Sequence, residues 1–172
     1  MPTSTQTQTP TRTQATAQVY QVYIKATPEA IWEAITTPEW SRRYGYRSPS
    51  EFELRPGGAY RALASAEMQA SGLEAEAIID GEVVEIDPPR KLVQTWRTLW
   101  NPEMQAEGFT RLTWETAPAG EGVTRLTVTH ELAGAPLTAA AVGGANPEAG
   151  GGWPWILSDL KSLLETGSAL PG

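Results

Sequence analysis

A chain of 172 residues, 40% hydrophobic and 19% charged, is long enough to bury the core of one domain and has an ordinary globular make-up. Its net charge of −7, with Lys and Arg scattered, argues against nucleic acid or an anionic membrane surface as the main partner. The absence of cysteine excludes disulfides, thiol chemistry and Cys-ligated zinc, and nothing resembles a secretory leader or a long apolar run, so no membrane insertion and a cytoplasmic location are expected.

Residues 1–16, MPTSTQTQTPTRTQAT, are a Thr/Gln-rich tract without periodicity. Such a tract cannot bury enough apolar surface to offset its ordering entropy, and a disordered tail is expected. A single domain over 17–167 and a short C-terminal tail over 168–172 complete the organisation. The first strand is QVYQVYIKA, with Tyr20, Val22 and Ile24 alternating onto one face. TPEAIWEAITTPEWSRRYGY follows: Thr27 is an N-cap, Pro28 the first helical residue, and Ile31, Ala34 and Ile35 the apolar stripe. Pro38 ends this helix, and a second short helix or turn carries Trp40 to Tyr44.

The middle of the chain is β-rich. EFELRPGGAYRALA reads as strand, turn and strand. ASAEMQASGLEAEA favours helix by propensity, but Ser71-Gly72 punctuates it and strands flank it, so a long hairpin is expected. Gly81 inside the next strand implies a bulge or bend. A Pro88-Pro89 stop, a strand through Trp96, and the strands FTRLTWETAP and GVTRLTVTHEL follow. Alternation sets Leu112 with Trp114, and Leu126 with Val128, His130 and Leu132. Residues 133–152 hold six of the sixteen glycines and read as a long loop, a candidate gate. The final helix starts near Trp153-Pro154, carries Ile156, Leu157, Leu160, Leu163 and Leu164 as a wide stripe, and stops at Gly167. Hairpin-linked strands mean an antiparallel sheet and an α+β class.

In this order, TPEAIWEAITTPE, PGGAYR, GEVVEIDPPRKLVQTW and GWPWILSDLKSLLETG resemble the Bet v 1/START-like superfamily. More narrowly, the chain resembles the bacterial branch named after the C-terminal domain of the activator of Hsp90 ATPase. The resemblance covers about residues 17–167. It implies a helix-grip fold, with seven antiparallel strands curled around the C-terminal helix and two short helices closing one end. It also implies a largely apolar cavity between sheet and helix. Members of the superfamily bind lipids, sterols, polyketides or hormones, and some are cyclases or other enzymes.

The expected pocket is Tyr44, Tyr46, Trp96, Trp114, Leu126, Val128, His130, Trp153 and Leu157, because alternation and helix periodicity aim them into one space. Core packing is the other reading for each aromatic; Trp100 is a further candidate, Trp32 is assigned to core, and Trp155 to the sheet rim or a partner protein. His130, the sole histidine, is a general acid/base, a ligand donor or a satisfied structural histidine. No nucleophile-elbow motif accompanies it, and one histidine without cysteine does not make a metal site; no cofactor is expected. Glu74, Glu76, Asp80 and Glu82 read as a solvated face, and Arg97, Arg111 and Arg125 as an outer charge ladder with Glu115. The leading expectation is a protein, non-enzymatic or of unknown activity, that binds a small hydrophobic molecule. The alternatives are an enzyme of the polyketide cyclase or hydrolase kind using His130, and an interaction module with a chaperone partner. Homodimerisation through an exposed sheet or helix surface is permitted but not specified.

Overall fold

The computed structural model describes residues 16–171; the tail expected over residues 1–16 lies outside them except for Thr16. Strand β1 (Ala17–Ile24) turns its alternate residues Tyr20, Val22 and Ile24 inward and leaves Val19 and Tyr23 in solvent. Helix α1 (Pro28–Thr36) starts as its sequence dictates: the Thr27 hydroxyl accepts the Ala30 N–H at 3.1 Å, with proline at the first position. Helix α2 (Pro38–Ser41) is a single turn.

Strands β2 (Ser50–Phe52), β3 (Ala59–Leu63), β4 (Ala77–Asp87), β5 (Lys91–Thr98), β6 (Thr110–Gly120) and β7 (Val123–Glu131) follow. All pairings are antiparallel, in the order β1-β7-β6-β5-β4-β3-β2, so the last strand returns beside the first. Directly opposed pairs such as Val22 and Leu126, Trp114 and Val128, and Leu112 and His130 put these side chains on one inner face. Gly81 is required by a close approach: a Cβ there would lie 1.9 Å from the Thr95 carbonyl oxygen. The bulge itself falls two residues later, between Val83 and Glu85.

Three short helices interrupt segments expected to be extended or irregular. Helix α3 (Ala66–Ala70) sits inside the expected long hairpin, where the Ser65 hydroxyl caps it by accepting the Met68 N–H. Local propensity plus a cap outweighed the flanking strand pattern. Helix α4 (Pro102–Ala106), capped by Asn101, joins β5 to β6. Helix α5 (Pro136–Val142) and a 3-10 turn (Pro147–Ala149) occupy the segment expected to be loop. Ala135 offers α5 no side-chain cap; the Glu107 carboxylate replaces it, accepting from the N–H groups of Leu137 and Thr138 and from the Thr138 hydroxyl.

Helix α6 (Gly152–Thr166) buries Trp153, Leu157, Leu160 and Leu163 and closes at Gly167, whose φ of +79° suits the left-handed cap. It also carries a fully buried carboxylate, Asp159, which accepts the Gly45 N–H at 2.8 Å and the Leu170 N–H at 2.6 Å. The segment after Gly167, expected as a tail, is therefore tied back through Leu170. With β1, β7, β6 and α1, this helix encloses the main core, in which Ile24, Ile31, Leu112, Leu126, Val128 and Leu160 are almost wholly buried. Each such residue contributes about 1.5–3 kcal/mol by burial. A second, smaller cluster of Tyr60, Ala62, Ala64, Ile78 and Ile79 lies on β3 and β4. A seven-stranded sheet gripping a C-terminal helix is the helix-grip architecture, α+β in class.

The outer face carries ion pairs between directly opposed residues: Arg61 with Glu51, Arg97 with Asp80 and Arg111 with Glu131. Glu115 is not a rung, because its neighbour Lys91 pairs instead with Glu85. Arg125, expected in the ladder, stands opposite Ala117 and its Nε is buried without a hydrogen-bond partner. Glu74 and Glu76 are exposed ahead of β4, and Glu82 is exposed on it. Among the described residues no helix is long and apolar enough to cross a membrane.

Candidate functional site

The inner face of β2 and β3, and of β4 and β5 near Ile79 and Trp96, lies outside the main core, which takes Val83 and Leu92 of those last two strands. Short pieces of chain roof it: the segment after α2, helices α3, α4 and α5, and the first turn of α6. Between roof and sheet lies a cavity of about 520 Å³. Its exposed lining residues, Ser71, Trp100, Glu148 and Gly150, mark the open side. Among the described residues Glu148 is the one charged side chain of the lining.

Five of the nine expected pocket residues line this cavity: Tyr44, Tyr46, Trp96, Trp114 and Trp153. Leu126, Val128, His130 and Leu157 do not reach it. Leu126, Val128 and Leu157 face inward as alternation and helix periodicity require, but belong to the half of the sheet that α6 fills; Ile156, one residue along the helix, faces the cavity instead. Trp100 also lines it, Trp32 packs against the main core, and Trp155 is half-buried.

His130 is completely buried behind the aromatic wall, and its bonding fixes its state. The Trp153 indole N–H donates to Nδ1 at 3.2 Å; an indole only donates, so Nδ1 carries no proton. The ring proton is then on Nε2, donated to the Thr110 hydroxyl at 2.7 Å, and that hydroxyl donates to the Trp96 carbonyl at 2.8 Å. Burial pushes the imidazole down to about 3. Both nitrogens are committed, the ring is neutral and no substrate reaches it, so the acid/base reading of His130 gives way to the structural one. Trp96 meets the ring edge-on at 5.0 Å between centroids, and Trp153 meets Trp114 at 5.2 Å and 88°. His130 thus sets the angles of the indoles that form the wall.

The polar side of the cavity lies on β5 and β3. Gln94, Trp96 and Thr98 alternate onto the inner face of β5. Gln94 accepts the Trp114 indole N–H at 3.1 Å, which turns its amide nitrogen the other way, where that nitrogen has no partner. Thr98 Oγ1 is also buried without one. Tyr60 stacks on Phe52 at 4.5 Å, and Ser50, Gln94 and Trp96 stand beside its hydroxyl. Burial pushes that phenol up to about 12 against the pull of these neighbours. Tyr44 is held apart from this group by donating to the Ala34 carbonyl at 2.9 Å, and burial raises it as well.

Tyr46 closes the roof. Its hydroxyl donates to the Ala149 carbonyl and accepts the Gly152 N–H, each at 2.9 Å. The glycines there permit close approach: a Cβ on Gly150 would lie 2.8 Å from the Tyr46 ring, and one on Gly152 2.2 Å from the Val142 carbonyl oxygen. Among the described residues, no group of three or more His, Asp or Glu side chains is placed to hold a metal ion. Gln94, Thr98, Tyr60 and Ser50 were missed from sequence. The signal for the first two was their period-two spacing with Trp96, which places polar side chains on an inward face.

The family described as "Activator of Hsp90 ATPase homolog 1-like protein" matches residues 25–165. No curated protein matches the chain. Among solved structures, the protein encoded by BPP1335 of Bordetella parapertussis is 22% identical, with a TM-score of 0.63 over 94% of this chain and 81% of that one. An HSP90 activator of Plasmodium falciparum, PFC0360w, is 22% identical, with a TM-score of 0.54 over 86% of both chains. DynU16, from the dynemicin biosynthetic locus, is 21% identical with a TM-score of 0.61 over 90% of this chain; the chain spans only 49% of DynU16. At these identities the likeness is one of fold. With the gripped helix in place and the family match running from the end of β1 to the end of α6, the chain belongs to the Activator of Hsp90 ATPase homolog 1-like family, within the Bet v 1/START-like superfamily.

Proposed function

We propose that the chain binds a small, largely apolar molecule in the cavity between β2–β5 and the helical roof, without transforming it. The observation that carries this reading is the cavity itself. Its volume of about 520 Å³ falls in the range of about 300–1,000 Å³ typical of small-molecule sites, and four indoles line it. An empty apolar space of that size costs stability, because its lining lacks contact partners on one side. An occupant restores those contacts. The binding residues of this reading are Tyr44, Tyr46, Tyr60, Trp96, Trp114 and Trp153, with Ile156 in the place first given to Leu157. The committed hydrogen bonds of His130 favour a non-enzymatic role.

Native mass spectrometry of freshly purified protein, before and after denaturation, tests the reading. A small molecule released on denaturation supports it. Protein that carries none, and that shows no thermal shift with a panel of uncharged polycyclic compounds, counts against it.

A further inference from the structure

The polar atoms at the β3–β5 wall have a bias that the apolar lining does not explain. Trp96 presents an indole N–H and Gln94 an amide NH2, and both groups only donate. Gln94 cannot turn its oxygen toward the cavity without losing the Trp114 bond. Tyr60 and Ser50 have hydroxyls that either donate or accept. Tyr60 is 7% exposed and lines the cavity, with Ser50, Gln94 and Trp96 beside its hydroxyl. With the Gln94 amide facing the phenol oxygen, the phenol proton is left over. Donors therefore exceed acceptors around one spot of the cavity wall, and a buried donor left unmet is costly. Of the other lining hydroxyls, Ser41 accepts the Ser50 N–H and Ser71 donates to the Met68 carbonyl, while Thr98 Oγ1 is unpartnered and, like Tyr60 and Ser50, both donates and accepts, so it leaves the excess of donors unchanged. Among the described residues no basic side chain lines the cavity, so a buried anion would find no counter-charge from them.

We infer that the Tyr60 hydroxyl and the Trp96 indole N–H, backed by the Gln94 amide, form a donor pair that receives the carbonyl oxygen of an uncharged ligand. This rests on the binding role proposed above and adds the chemical class of the occupant: a neutral polycyclic or long apolar molecule bearing a ketone, quinone or similar acceptor. Tyr60 recognises the ligand and is assigned no part in a reaction.

The test compares three probes of one shape, fluorene, 9-fluorenone and fluorene-9-carboxylate, by isothermal titration calorimetry on the full chain. The ketone is expected to bind about five- to tenfold more tightly than the hydrocarbon, as one or two net hydrogen bonds provide. The carboxylate is expected to bind more weakly than either. Tyr60→Phe removes one oxygen and no shape; it should reduce the preference for the ketone severalfold, because only the Trp96 N–H is left to donate, and leave fluorene binding unchanged. The infrared carbonyl stretch of bound fluorenone gives a second readout on the unaltered protein and should shift to lower frequency than in hexane. Equal affinity for ketone and hydrocarbon, an unshifted carbonyl band, or a ketone preference undiminished in Tyr60→Phe overturns the donor pair while leaving the binding role standing. Failure of all three probes to bind overturns both.

Discussion

The two halves of the sheet have opposite interiors. Under α6, the inner face of β1, β7 and β6 is solid: Leu112, Leu126, Val128 and Leu160 are at most 1% exposed. Across β2, β3 and the adjoining parts of β4 and β5 the same face looks into a cavity of about 520 Å³, while Val83 and Leu92 of those last two strands belong to the main core. The cause is geometric. Seven strands at about 4.8 Å spacing are about 29 Å across, whereas one helix with its side chains is about 10–12 Å wide. A single long helix cannot cover such a sheet. The remainder is roofed by one- and two-turn helices, which are too short to send a continuous apolar stripe down to the strands. A fold that grips one helix therefore leaves a space beside it, and that space is available for a ligand.

Truncation should expose the contrast most strongly. Leu160→Ala, in the solid half, is expected to cost about 3–5 kcal/mol in urea unfolding, whereas Ile79→Ala, beside the cavity, should cost about half as much. Equal losses would break the division into solid and hollow halves. The next effect is one of pH and belongs to His130, at the boundary between the halves. Its folded-state value of about 3 lies below the ordinary 6.5, so the unfolded chain takes up a proton first. Stability is then retained above about pH 6.5 and lost as pH falls toward 3. Between pH 6.5 and 4.5 the loss attributable to this ring is about 2–3 kcal/mol, at about 1.4 kcal/mol per pH unit. Subtracting the pH profile of His130→Gln from that of the unaltered protein isolates this slope, and parallel profiles would remove it.

A smaller effect concerns the roof. Tyr46→Phe deletes two hydrogen bonds to the glycine-rich segment and should cost about 1–2 kcal/mol. Amide exchange at Gly152 should accelerate about tenfold while Leu160 stays protected, a local opening confined to the hollow half. Unchanged exchange at Gly152 would mean that the roof does not depend on this hydroxyl. The smallest effect is expected on the outer face. Asp80→Asn breaks the two-pronged pair with Arg97, yet the groups are more than a quarter exposed, and thermal denaturation should register less than about 1 kcal/mol.

Alternation and helix period made much of the architecture legible. Tyr20, Val22 and Ile24, or Leu126, Val128 and His130, can face one way only, and the stripe of α6 between proline and glycine is unmistakable. The short helices were less legible because strands flank them, although Asn101-Pro102-Glu103 begins α4 with the same cap, proline and acid as Thr27-Pro28-Glu29 begins α1. The division between core and cavity was not legible at all. Val128 and Trp96 are equally inward by pattern, and only the placement of α6 separates them. The state of His130 was hidden for a related reason: its partners are 20 and 23 residues away in the chain, on a neighbouring strand and on α6.

The buried Asp159 carboxylate has a practical corollary. One of its oxygens holds Gly45, which lines the cavity, and the other holds Leu170. Leu170 is thus two hydrogen bonds from the cavity wall. An affinity tag or immobilisation linker fused just beyond Leu170 would pull on the same carboxylate that positions Gly45, whereas one placed ahead of Thr16 would attach at the far edge of the sheet. A tether at the first place loads the cavity wall, and one at the second does not.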